Sequence, residues 1–140
     1  MHLVQCPPDA LDKVWPLAGA MIARAVEYSE GRTSLDVESA KVLNGDSQLW
    51  LVIDNENTEV RNKVVAAGIT SIQLNADGTK TANIELFGGE NMKAWFDQKD
   101  EFEKWAKHEG CKDIRLWARK GWAKYLSDFK LTCYIMRKEI

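Results

Sequence analysis

The stretch that most constrains this chain is Asn75-Ala-Asp-Gly78, a turn signal set between two runs of strand character. Before it, residues 64–74 carry Val64, Val65, Ile69, Ile72 and Leu74; after it, residues 79–87 alternate at Ala82, Ile84 and Leu86. Asn, Asp and Gly tolerate the backbone angles of a tight reversal, so the pattern predicts an antiparallel hairpin. Residues 48–54 form a further strand. Leu49, Trp50, Leu51, Val52 and Ile53 are nearly continuous, and an unbroken apolar run predicts cover on both faces. The polar residues 55–62 read as the turn between these strands.

Helical spacing dominates elsewhere. After a short extended run at 2–5 and the pair Pro7-Pro8, the residues Leu11, Val14, Trp15, Ala18, Met21, Ile22, Ala25 and Val26 recur on one stripe. Asp9 is a candidate N-cap, or Pro8 the first helical position. Pro16 should kink this helix or mark its true start, and Gly31 should close it. Thr33 or Ser34 opens a second helix with acidic residues in its first turn, and Leu35, Val42 and Leu43 should face the core. Asn44-Gly45 ends it. Past Gly88-Gly89, Met92, Trp95, Phe96, Phe102, Trp105 and Ala106 share a stripe interrupted by polar residues 97–100. Asp100 with Glu103 would make a capping box and restart the helix, and Gly110 caps its end. A strand at 114–118, with Ile114 and Leu116 pointing one way, a short helix at 120–127 and a last strand at 131–136 complete the chain. The order is β, α, α, β, β, β, α, β, α, β, and the late alternation requires a crossover-connected parallel pair. The fold class is α/β: one domain over residues 1–140, with a mixed central sheet flanked by helices.

Bulk properties exclude several roles. A chain of 140 residues buries roughly 68% of its unfolded surface and needs no staples. Net charge is -2, so no global field calls for nucleic acid or an anionic membrane. Basic residues do gather at Arg115, Arg119, Lys120, Lys124 and Lys130, a solvated face or a local anion site. Of these, Arg119-Lys120-Gly121-Trp122 is the densest basic and aromatic spot. Six tryptophans point to core or core-edge positions. Three cysteines without a CxxC argue for a reduced compartment. No leader pattern or membrane span is read, so the expected location is cytoplasmic. His2 and His108 lack a third ligand at useful spacing, and no metal is expected. Cys111 reads as core rather than nucleophile.

The element order resembles the GNAT superfamily of acyl-CoA N-acyltransferases from residue 2 to residue 138. Trp105-Ala-Lys-His-Glu-Gly-Cys-Lys-Asp-Ile-Arg-Leu is similar to the family's third helix, glycine turn and fifth strand. Lys120-Gly-Trp-Ala-Lys-Tyr-Leu-Ser-Asp-Phe-Lys-Leu is similar to its fourth helix, tight turn and sixth strand. Small, diverged GNAT-like proteins of bacteriophages have this look, which would put the protein in a host cytoplasm. The resemblance implies a splay between the fourth and fifth strands, with acetyl-CoA or another acyl-CoA as cosubstrate. The family's cofactor signature, Arg/Gln-x-x-Gly-x-Gly/Ala, turns backbone N–H groups toward a pyrophosphate. Here Leu86-Phe-Gly-Gly-Glu-Asn-Met stands in that place: the leading basic residue is missing, and Glu90 adds negative charge.

The resemblance implies a cofactor contact at Leu86, Phe87, Gly88 and Gly89; the alternative for the glycines is a plain turn leaving a strand. Glu85 is the candidate general base that takes a proton from an unknown amine, or a solvent-facing strand residue. Tyr125 is the candidate acid for the departing thiolate, although it lies one position from the family's usual spacing and Lys124 holds that place. Two functions stay open. One is N-acyl transfer. The other is a catalytically inactive GNAT-shaped binding protein, with a homodimer or a virion partner; an exposed tryptophan patch would favour it.

Overall fold

The computed structural model describes residues 1–56, 59, 63–90 and 92–140; residues 94 and 95 are described in backbone only. Five strands make one sheet in the order β1-β2-β3-β4-β5. They are β1 (His2–Gln5), β2 (Ser47–Ile53), β3 (Val64–Leu74), β4 (Lys80–Gly89) and β5 (Asp113–Leu116). The first four are antiparallel neighbours, and β5 runs parallel to β4. The hairpin turn forms as the sequence predicts: Gly78 takes φ 86°, and Asn75 N–H donates to Thr79 O at 2.7 Å. Of the turn expected over 55–62, residues 57, 58 and 60–62 lie outside the described residues.

Helices cover both faces. Helix α1 (Leu11–Glu27) lays Ala18, Ile22 and Ala25 on one face, against Leu49, Leu51, Ala67, Ile69 and Leu86. Helix α2 (Leu35–Leu43) adds Val42 there, and Ser34 caps it by accepting from Val37 N–H at 3.2 Å. The opposite face carries α3 (Met92–Trp95), a 3₁₀ turn (Phe96–Lys99) and α4 (Asp100–His108). From α4, Phe102 packs with Trp50, Val52, Ala66 and Phe87. Strand β2 is buried on both faces, as its unbroken apolar run demands. Each such aliphatic or aromatic side chain removed from water contributes about 1.5–3 kcal/mol. The polar members of the sheet are paired: Trp50 Nε1 donates to Thr70 Oγ1 at 2.8 Å, and Thr70 donates on to Gln48 Oε1 at 3.0 Å.

Several expectations are corrected. The stretch 131–136 forms no strand; residues 131–140 are all exposed, because strand propensity without a neighbouring ladder does not make a strand. The helix expected over 120–127 is a 3₁₀ segment, Lys120–Tyr125, with no side-chain cap and Gly121 in its first turn. Both features disfavour an α-helical nucleus. Helix α1 runs through Pro16, whose side chain is exposed and whose missing hydrogen bond water can replace. Leu43 is 64% exposed rather than core. Helix α4 does restart at Asp100, but Lys99 is its N-cap and no capping box closes. Gly88 and Gly89 belong to β4 and do not form a turn.

Candidate functional site

Strand β4 changes character at Glu85. Ile69 stands opposite Leu86 and Thr70 opposite Ile84, so Glu85 is an extra residue on β4 without a partner on β3. This is a β-bulge, a device that re-aims a side chain and increases local twist. The pairing with β5 ends at the same place, Ile84 with Leu116. Residues 85–89 of β4 therefore run on past the end of β5. The bulge also breaks the expected phase of alternation. Ile84 packs toward the α4 face, whereas Leu86, two residues on, is buried among the α1 residues.

The bulge turns the Glu85 carboxylate toward the α1 face. Ser71 Oγ donates to Glu85 Oε1 at 2.8 Å, and a guanidinium nitrogen of Arg32 lies 3.7 Å from Oε2. The Glu85 side chain keeps 21% of its accessibility, so it is held but reachable.

Arg32 comes from the turn between α1 and α2, where Glu30 (φ 56°) and Gly31 (φ 81°) reverse the chain. Gly31 accepts that left-handed angle without strain; Glu30, with a Cβ, does so at some cost. Thr33 Oγ1 donates to the buried Glu38 Oε1 at 2.6 Å and ties this turn to α2. Two cation–aromatic stacks strap the turn to the segment after β5. Arg32 lies over Trp117 at 4.7 Å, and Arg119 lies over Tyr28 at 3.8 Å with Trp122 at 5.3 Å. Tyr28 is 63% and Trp117 49% exposed. Glu85, Arg32, Trp117, Arg119 and Tyr28 thus form a linked group at the open end of the sheet.

The other residues singled out from sequence lie as follows. Leu86 and Phe87 are buried on opposite faces. A Cβ on Gly88 would stand 2.5 Å from the Met21 carbonyl oxygen, and one on Gly89 would collide with Ala66. Both glycines therefore let α1 and β3 approach β4. Glu90 N–H donates back to Val65 O at 3.1 Å, so Gly89, one residue earlier, turns its own N–H to the side β5 leaves open. Glu90 also pairs with Arg24 at 3.8 Å. Tyr125 lies 5.6 Å from the Phe96 ring on the α4 face, so the fold does not bring it to Glu85. A small apolar cavity of about 50 Å³ on that face, at the parting of β4 and β5, is lined by Ile84, Phe87, Phe102, Ile114, Leu116 and Trp122 among others. His2 and His108 are exposed, and Cys111 is half-buried. Among the described residues no group of His, Cys, Asp and Glu is placed to hold a metal ion, and no helix is long and apolar enough to cross a membrane.

Sequence reasoning missed Tyr28, Arg32, Ser71 and Trp117. Ser71 carried a faint signal, being a small polar residue in an apolar strand. Tyr28 and Arg32 meet Trp117 and Arg119 only through the tertiary fold.

A mixed five-stranded sheet with helices on both faces has known counterparts. No family model and no curated protein match the sequence. Solved structures do match the fold. An acetyltransferase from Trypanosoma brucei aligns with TM-score 0.62 at 12% identity, over 99% of each chain. Glucosamine-6-phosphate N-acetyltransferase from Arabidopsis thaliana aligns with TM-score 0.63 at 11% identity, over 98% of this chain and 96% of that one. An aminoglycoside acetyltransferase from an uncultured soil metagenomic sample, solved with sisomicin, aligns with TM-score 0.63 at 11% identity, over 99% and 95%. The fold is that of the GNAT acetyltransferases. Residues 85–89 of β4 carry the edge that β5 leaves open. Helix α3 is four residues long and gives way to a 3₁₀ turn, and Glu90 is negative; residue 91 lies outside the described residues.

Proposed function

We propose that the chain is an N-acyltransferase acting on an amine, with an acyl-CoA as donor. The observation that carries this reading is the bulge at Glu85, which turns a hydrogen-bonded carboxylate toward solvent where β4 outruns β5. Bound acyl-CoA would supply the acyl group as a thioester, its arm along residues 86–89. Glu85 accepts the proton of the attacking amine as the C–N bond forms; the C–S bond of the thioester would then break, the thiolate leaving to take its proton from water. Ser71 and Arg32 fix the carboxylate in place, so it needs little reorganisation. The outward Gly89 N–H is a backbone donor of the kind that stabilises developing negative charge on a carbonyl oxygen. Exposed Tyr28 and Trp117 wall the amine side. Tyr125, on the other face, takes no part in this arrangement.

A second reading, a GNAT-shaped binding protein without catalysis, is favoured by the four-residue α3 and by Glu90. One experiment separates them. Thermal denaturation is followed with acetyl-CoA and with desulfo-CoA, and a ligand at about 100 times its Kd adds about 2.7 kcal/mol of stability. Acyl transfer predicts a shift with both, and thiol release with an amine panel that Glu85→Gln lowers about 100- to 10,000-fold. No shift at millimolar ligand would leave the binding protein as the correct reading.

A further inference from the structure

We propose that the amine substrate also carries an anionic group, and that Arg119 receives it. The inference rests on the acyl-transfer reading and names its substrate class: a compact molecule bearing an ammonium and a carboxylate or phosphate.

Arg32 has a carboxylate beside it, Glu85 at 3.7 Å. Arg119 has none: among the described residues it makes neither an ion pair nor a hydrogen bond through its side chain. Yet Arg119 is half-buried, with its guanidinium over Tyr28 at 3.8 Å and near Trp122 at 5.3 Å. Aromatic faces offset only part of the cost of drawing a cation out of water. The linked group therefore holds two guanidiniums and one carboxylate, and is short of one negative charge.

Geometry agrees with this. A guanidinium stacked on a ring keeps its N–H fork in its own plane, open at the edge, and that fork matches the paired oxygens of a carboxylate or phosphate. The two stacks are adjacent in the chain, since Trp117 under Arg32 is two residues from Arg119. Arg119 and Glu85 are thus both linked to the Arg32–Trp117 stack, Glu85 through its ion pair with Arg32 and Arg119 through the chain, two residues on from Trp117. A molecule with its amine at Glu85 and its anion at Arg119 would cross that stack and complete the charge balance. The rim it crosses is open, because Tyr28 and Trp117 are both largely exposed.

The test uses the full chain without any acyl donor, so it does not depend on turnover. O-phosphoethanolamine and ethanolamine differ by one phosphate, and each is titrated while the indole N–H resonances of Trp117 and Trp122 are followed by NMR. Phosphoethanolamine should bind about tenfold or more tightly, the size expected of one charge-assisted hydrogen-bonded contact. Arg119→Gln should erase the difference. Arg119→Lys, which keeps the charge and loses the fork, should retain part of it and serves as the test should the glutamine variant fail to fold. Equal binding of the two probes, no binding of either, or a preference that survives in Arg119→Gln would each overturn the proposal. A separate thiol-release assay reports on acyl transfer itself. Equal acetylation of both amines would sink the substrate class and leave the enzyme reading intact.

Discussion

Ser71 donates its hydroxyl to Glu85 Oε1 at 2.8 Å across the one place where β3 and β4 lose register. The bond makes the bulge a device for aiming a carboxylate, since without Ser71 the carboxylate would keep only the looser Arg32 contact. Ser71→Ala should leave the fold intact, because the residue is only half-buried and fills no core. It should lower kcat with acetyl-CoA and an accepted amine about tenfold, with little change in KM, by releasing a group that must be prepositioned. Ser71→Thr keeps the hydroxyl and should recover most of the loss. Unchanged kcat in Ser71→Ala would mean that Glu85 needs no such restraint.

The glycine pair makes a prediction about stability rather than cofactor. Gly88 is covered by α1, and an added methyl meets the Met21 carbonyl oxygen and the Ala25 side chain. Gly88→Ala should cost about 1–3 kcal/mol, the usual penalty for overpacking a tight contact, as measured by urea denaturation. Gly121, by contrast, has open space around a built Cβ, and Gly121→Ala should be close to neutral. A neutral Gly88→Ala would mean that α1 sits farther from β4 than the structure places it.

Much of the architecture was legible in the sequence, for definable reasons. The Asn75–Gly78 turn and the unbroken β2 run are local signals, strong because backbone angle and two-faced burial are fixed by a few neighbouring residues. Three features were not legible. The extra residue at Glu85 leaves no mark in composition, because alternation at Ala82, Ile84 and Leu86 looks regular until the β3 register is known. Gly88-Gly89 reads as a turn by composition, but tertiary contact with α1 and β3 is what requires small residues there. Tyr28 and Arg32 lie far from Trp117 and Arg119 along the chain and meet only because the α1–α2 turn crosses the end of β5. Of the linked group, Glu85 was singled out by its place on the strand, while Ser71 and Arg32 beside it were not.

The cysteines should respond to pH and to thiol reagents in a graded way. Burial pushes the Cys6 thiol up from its ordinary value of 9.0, with Asp9 adding to the effect; burial also raises Cys111, against the pull of Lys80. A raised folded-state value favours the neutral thiol in the folded protein. The stability this contributes is complete below about pH 9 and is lost as pH climbs through the folded-state value. Cys6→Ala should therefore flatten the decline of stability above that pH. Among the three thiols, the exposed Cys133 should be alkylated first and the buried Cys6 last. Early labelling of Cys6, located by peptide mass mapping, would contradict its burial.

The final stretch of the chain carries the last prediction. Leu131, Tyr134, Ile135 and Met136 are each at least 68% exposed. They stand in a stretch whose composition suits a strand, while β5 is an edge strand with no neighbour on its outer side among the described residues. Each molecule thus presents an uncovered edge at β5 and an exposed segment able to cover it. Two copies that exchanged these segments would satisfy both needs twice over, in a closed two-fold arrangement. A chain ending at Lys130 should melt close to the temperature of the full chain at low concentration, since residues 131–140 are all exposed. The full chain, unlike the shortened one, should form dimers as concentration rises, measured by sedimentation equilibrium. If the full chain stays monomeric at high micromolar concentration, the segment does not serve as an exchanged strand. If the shortened chain melts markedly lower at low concentration, residues 131–140 pack on their own β5.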